Sequence, residues 1–147
     1  MKKIIFANDL HRKKYEALLK RFPKEKLTPE NLAAIYLIAW IETMKPDIAD
    51  QILDFKNFSI NLFATMLDWN NKRTQNAILL AFHLKMNHYD IALDIIEASK
   101  CHRVFLEALY ICYDICYADI ADQLDKTTIQ YQNRINERWK HGAWMFL

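Results

Sequence analysis

Glycine is nearly missing from this chain: Gly142 is the single instance in 147 residues, where average usage of roughly 7% would supply about ten. Tight two-residue hairpins, phosphate loops and dinucleotide fingerprints need positive φ or close backbone approach, which glycine supplies. The scarcity excludes those architectures and the nucleotide-binding functions built on them. Proline is sparse as well, with three residues, so turns must be made by asparagine, proline and helix caps. A long apolar run is also lacking. The longest uncharged one, residues 32–41, has ten residues, and a bilayer span needs about 20. The apolar stretch near the start, Ile4 to Ala7, is too short for the core of a signal peptide. Three cysteines, Cys101, Cys112 and Cys116, form an odd set without an export signal, so reduced thiols and a cytoplasmic location are expected.

What is present is a foldable mixture. At 52% hydrophobic, 13% aromatic and 26% charged, the chain is too apolar for intrinsic disorder, and its length suits one domain spanning 1–147. The net charge of +2 announces neither a nucleic-acid nor a membrane protein. Its distribution is less even. Residues 1–26 hold nine basic side chains against three acids, a local +6, while the remaining 11 basic and 15 acidic residues carry −4.

The pattern along the chain is helical. Ile4-Ile5-Phe6 reads as an extended lead before Asn8 or Asp9 caps a first helix. There Tyr15, Leu18, Leu19 and Phe22 share one face while Arg12, Lys13, Glu16 and Lys20 point outward, and Pro23 ends it. Thr28-Pro29-Glu30 combines a hydroxyl cap, a proline at the first helical position and an early acid, and predicts a helix over about 29–44. Its stretch from Leu32 to Ile41 is apolar nearly all round, the mark of a central, buried helix. Pro46 is expected to open a shorter helix carrying Ile48, Ile52, Leu53 and Phe55. Residues 54–60 have neither clean period and read as loop or a short bridging strand, with Ser59 or Asn61 capping a brief helix through Leu62 and Leu67. After Asn70-Asn71, a helix over 72–86 is predicted to turn Ala77, Ile78, Ala81, Phe82 and Leu84 or Lys85 inward, and Asn87 closes it. Helices over 89–99, with Ile91, Ala92, Ile95 and Ile96 inward, over 102–124 and from Thr127 or Thr128 to Trp139 complete the chain. The expectation is an all-α compact bundle of six or seven helices around the apolar helix at about 29–44.

The opening Phe6-Ala7-Asn8-Asp9-Leu10-His11-Arg12-Lys13-Lys14-Tyr15-Glu16-Ala17-Leu18-Leu19 resembles that of uncharacterised families of short helical proteins from Firmicutes and their mobile elements. Their pattern is similar to Phe-x-Asn-x-x-His-Arg-x-x-Tyr-x-x-Leu-Leu. Asp54-Phe55 to Ile60, Trp69 and Leu80-Ala81-Phe82-His83-Leu84 carry a second, shorter similarity, and the two together span about half the chain. This sequence departs from the pattern in lacking the glycines those proteins usually carry. The resemblance implies a small helical fold in a cytoplasmic bacterial or phage-type setting and brings no activity or site residues.

No constellation announces chemistry. Cys112 and Cys116 share a helix face one turn apart, with Cys101-His102 upstream and His88 or Asp114 as further donors, but the paired knuckle spacing of structural zinc is missing and buried cysteine packs as a small apolar residue. No metal and no cofactor are expected. His11, beside Arg12 and one turn from Tyr15, lacks an orienting carboxylate and is better read as packed against the core with a hydrogen bond to a backbone carbonyl. His83 reads as half-buried with its polar edge bonded. The stripes Asp90, Asp94, Glu97 and Asp119, Asp122, Asp125 lack the Glu-x-x-His element of a di-metal bundle and read as solvated faces.

Two surfaces carry the binding expectations. The tail Trp139-Lys140-His141-Gly142-Ala143-Trp144-Met145-Phe146-Leu147 is rich in aromatics, and Trp139, Trp144, Met145 and Phe146 are candidate partner-binding residues. The competing reading has the tail folding back to seal the bundle; truncation after Ala143 would then lower the melting temperature sharply, whereas loss of an interface tail would leave a folded monomer. Arg12, Lys13, Lys20 and Arg21 are candidate contacts to an anion or nucleic acid. The leading expectation is a non-enzymatic accessory protein that binds a protein partner or itself, with a nucleic-acid-binding accessory protein second and an enzyme assembled from distant helices third.

Overall fold

A computed structural model of the chain describes residues 4–62, 71–100 and 102–113. The described part is mostly helical, as expected. Its elements are α1 (Asp9–Leu19), a 3-10 turn (Lys24–Lys26), α2 (Pro29–Glu42), α3 (Ile48–Ile52), strands β1 (Leu53–Asp54) and β2 (Ser59–Ile60), α4 (Lys72–Lys85), α5 (Tyr89–Ala98) and α6 (Arg103–Tyr113). The tail residues Trp139, Trp144, Met145 and Phe146, the glycine, Cys101, Cys116, the second aspartate stripe and the helices expected after residue 113 lie outside the described residues.

α2 is the axis of the bundle. Thr28 caps it as the sequence predicts, accepting the Asn31 N–H at 3.3 Å, and Pro29 occupies the first turn. From Ala33 to Ile41 every residue is buried, because α1, α4 and α6 all pack against this one helix. α5 pairs with α4, and α3 sits at the far end of α2. A single cluster runs from Ala7 to Cys112. Burying a leucine- or isoleucine-sized side chain contributes about 1.5–3 kcal/mol, so the apolar stretch of α2 is a major source of stability.

Several local expectations need correction. Pro46 does not open α3: the cap is Asp47, at φ 67°, with no side-chain hydrogen bond of its own. The amide of Ala49 donates instead to the carboxylate of Glu42, at 3.1 Å, which explains why this acid is buried at the end of an apolar helix. Leu53 and Phe55 leave the helix. Leu53 pairs with Ile60 and Asp54 with Ser59 in an antiparallel hairpin, so Ser59 is a strand residue and not a helix cap. The hairpin avoids a two-residue glycine turn. Asp54 accepts the N–H groups of Lys56 and Asn57, and Phe58 takes φ 51°. The side chain of Phe58 stacks on Phe22 at 4.7 Å.

The inward faces of α4 and α5 are largely the expected ones, with Ala77, Ile78, Ala81 and Leu84 buried on α4 and Ala92 and Ile96 on α5, and they depart at a few positions. Leu80 is fully buried and Phe82 half-buried on α4, and on α5 Leu93 is buried while Ile91 is exposed. In α5 both faces bear apolar residues, so periodicity alone does not choose between them, and packing against α4 does.

Candidate functional site

The most developed polar arrangement lies under the N-terminal arm, residues 4–7. Asn8 starts α1 by accepting the His11 N–H at 2.8 Å, which turns the His11 ring under the arm and against α2. The Ala7 N–H donates to His11 Nδ1 at 3.0 Å, and His11 Nε2 meets the Tyr36 carbonyl at 2.9 Å. A backbone amide only donates and a carbonyl only accepts, so the ring is neutral with its proton on Nε2. Burial pushes its pKa down to about 4, with the Tyr36 carbonyl opposing in part. The Tyr36 hydroxyl donates to the Ile5 carbonyl at 2.7 Å, and the Ile5 N–H donates to Glu107 at 3.1 Å. Glu107 in turn lies 3.5 Å from Arg103 one turn away on α6, both side chains being buried. Phe6 closes the cluster with rings of His11, Tyr15 and Tyr36 at 5.2–5.7 Å.

Desolvation governs the titration of these groups. It raises Tyr36 far above the ordinary tyrosine value, with Glu107 adding to the shift, and it raises Tyr15 to about 12. It lowers Arg103 to about 10 against the pull of Glu107, leaving the guanidinium cationic at neutral pH. His11, Tyr36 and Glu107 each hold a different part of the protein, while Arg103 pairs with Glu107 within α6. The arrangement fastens the arm to α1, α2 and α6, and His11 has no ring nitrogen left for proton transfer. His11 therefore has the carbonyl partner that the sequence led us to expect.

On the outer face of α1 the basic residues expected to meet an anion have acidic neighbours. Arg12 pairs with Asp9 and, at 3.4 Å, with Glu16; Lys13 pairs with Asp9 at 3.2 Å. These contacts lower the Asp9 pKa, through Arg12 first and Lys13 second. Arg21 meets Asp50 at 2.6 Å and lies over the Phe55 ring, 3.7 Å from its centroid. Lys20 is exposed at the end of the helix.

A third arrangement, which the sequence reading missed as a pair, sits where α4 turns into α5. Asn87 takes φ 61°, and the His88 N–H reaches back to the His83 carbonyl at 2.8 Å. This closure brings His83 Nδ1 and His88 Nδ1 to 3.0 Å. Burial and, secondarily, His88 lower the His83 pKa. The end of α6 supports the corner: Tyr113 donates to Asn87 Oδ1 at 2.7 Å, and the Cys112 thiol lies 3.9 Å from the Leu84 carbonyl. Cys112 is thus buried in the core, as its apolar neighbours suggest. Among the described residues no three histidine, cysteine or acidic side chains gather into a metal site, and no helix is long and apolar enough to cross a membrane. A cleft of about 590 Å³ lies beside Met44, Asn71, Lys72 and Arg73, and another of about 330 Å³ follows the hairpin from Gln51 to Asn61. The carboxylate of Asp54 in the second is already engaged by the Lys56 and Asn57 amides.

Residues 1–141 match DUF6075, a family of unknown function. The chain belongs to this family. The match takes in the N-terminal arm, the His11 cluster and the His83–His88 corner of this DUF6075 protein. No curated protein and no solved structure matches it.

Proposed function

We propose that this DUF6075 protein is a non-enzymatic, cytoplasmic accessory protein, of the bacterial or phage type that its opening resembles, which acts by binding a protein partner or a second copy of itself. The observation that carries the reading is that, of the large apolar side chains exposed among the described residues (Leu10, Met44, Met86 and Ile91), Met86 at 45% and Ile91 at 44% fall on either side of the one turn between α4 and α5, where Tyr89 is half-buried. Methionine, tyrosine and isoleucine of this kind suit the centre of an interface. The engagement of His11 by two backbone groups supports the same reading, since it removes the histidine with the most suggestive neighbours from acid–base duty. Trp139, Trp144, Met145 and Phe146 would add a second binding element in this proposal.

Light scattering on eluting protein over a hundredfold concentration range, with mass spectrometry of co-purifying chains, tests it. The expected result is a dimer or a stoichiometric partner whose affinity falls at least tenfold in Met86→Asp and Ile91→Asp, with melting temperatures unchanged. A monomer at every concentration without a stoichiometric partner would overturn it.

The nucleic-acid reading keeps Arg12, Lys13, Lys20 and Arg21 as its contacts. Their net positive face favours it, and the ion pairs of Arg12, Lys13 and Arg21 weaken it, because a phosphate would have to displace Asp9, Glu16 and Asp50.

A further inference from the structure

The corner between α4 and α5 has a backbone arrangement with a chemical consequence. Asn87 in the left-handed region and the His88 N–H bonded to the His83 carbonyl form the six-residue closure that commonly ends helices. That closure places the side chain after the left-handed residue against one in the last turn, and the contact is usually apolar. Here both positions carry imidazoles, with the two Nδ1 atoms 3.0 Å apart and the ring planes at 41°. The backbone hydrogen bond holds the two residues on neighbouring turns before any ligand arrives.

We propose that His83 and His88 form a bidentate site for one borderline divalent transition-metal ion of the Zn(II), Ni(II) or Cu(II) class, bound through the two Nδ1 atoms. At metal–nitrogen bonds of about 2.0–2.1 Å, two imidazole nitrogens on one ion lie about 2.9 Å apart at a right angle and about 3.3 Å apart at the tetrahedral angle. The observed separation falls in that interval. Without the ion, one ring donates its Nδ1–H to the other; on binding, that ring takes its other neutral tautomer, the proton passing through solvent from Nδ1 to Nε2, and rotation of the rings directs both Nδ1 lone pairs at the metal. Imidazole nitrogen suits this class of ion, whereas Mg(II) and Ca(II) require oxygen donors.

The remaining coordination positions fall to water or to a donor from a bound partner. The site is open at the surface: His88 is exposed and His83 half-buried, and Met86, between them in the chain, is exposed as well. Two protein ligands make this a reversible site and not a structural one. Its position in the same α4–α5 corner as Met86 and Ile91 would let a metal couple to association there, and metal binding is independent of that association.

Calorimetric titration of the full chain with ZnCl₂ and with CuCl₂, repeated on His83→Gln, His88→Gln and the double variant, tests the proposal. Nitrogen NMR of the imidazoles identifies the ligating atoms. One equivalent is expected to bind in the unchanged protein, to shift Nδ1 of both rings, and to weaken at least tenfold in each single variant. Binding of equal strength in the double variant, dependence on one histidine only, or no binding at all would each overturn it. Metal-free melting curves check that the variants, altered at an exposed or half-buried position, remain folded.

Discussion

His11 is the residue on which the arm depends. Its folded pKa of about 4 lies below the ordinary value of 6.5, so between these two pH values the unfolded chain binds a proton that the folded one does not. Stability is therefore full above pH 6.5 and declines as the pH falls toward 4, by about 3 kcal/mol in total. Urea unfolding at pH 7, 5.5 and 4.5 should show this acid slope in the native sequence and a shallower one in His11→Gln. At pH 7 the variant should be about 2–3 kcal/mol less stable, because the Ala7 amide and Tyr36 carbonyl lose a buried partner. Positive φ is the other residue-scale theme. Asp47, Phe58, Asn87 and Lys100 adopt it without glycine. For Phe58 the backbone costs about 1–3 kcal/mol, which burial of a phenylalanine ring, worth about 1.5–3 kcal/mol, offsets.

At the scale of the element, the helix starts follow from local chemistry. Asn71 accepts the N–H groups of Arg73 and Thr74 at the beginning of α4, so Asn71→Ala should lower unfolding free energy by about 1 kcal/mol in urea melts while leaving the helical signal intact. Caps of this sort are legible because cap and amide are two or three residues apart: Thr28 was read as a cap, the first cap was narrowed to Asn8 or Asp9, and the turn at Asn70-Asn71 and the stop at Asn87 were readable. Pro46 misled because the true partner of α3 is the carboxylate of Glu42, seven residues from the amide it holds and on another helix. The hairpin was ambiguous because a strand of two residues has no period to detect. Ile91, expected inward, is exposed for a related reason: which apolar face of α5 is covered depends on α4. The His11 cluster was half legible, its carbonyl contact expected but Ile5, Tyr36 and Glu107 joined to it only by the tertiary fold. The His83–His88 pair was hidden, since five residues is not a helical neighbour spacing and only the left-handed turn at Asn87 brings the rings together.

For the whole molecule, the arm, α1, α4 and α6 form a sheath around α2. Its amides from Ala33 to Ile41 have no route to solvent short of taking the sheath apart, whereas α5, packed chiefly on α4, can open while the axis stays covered. Deuterium uptake should accordingly be slowest in α2 and respond to urea with the slope of complete unfolding, and be faster and nearly urea-independent in α5. The central helix thus acts as an internal gauge: its exchange rate reads the free energy of the entire fold, so one labelling experiment on this segment reports whether a partner or a metal bound at a distant corner has tightened the molecule as a whole.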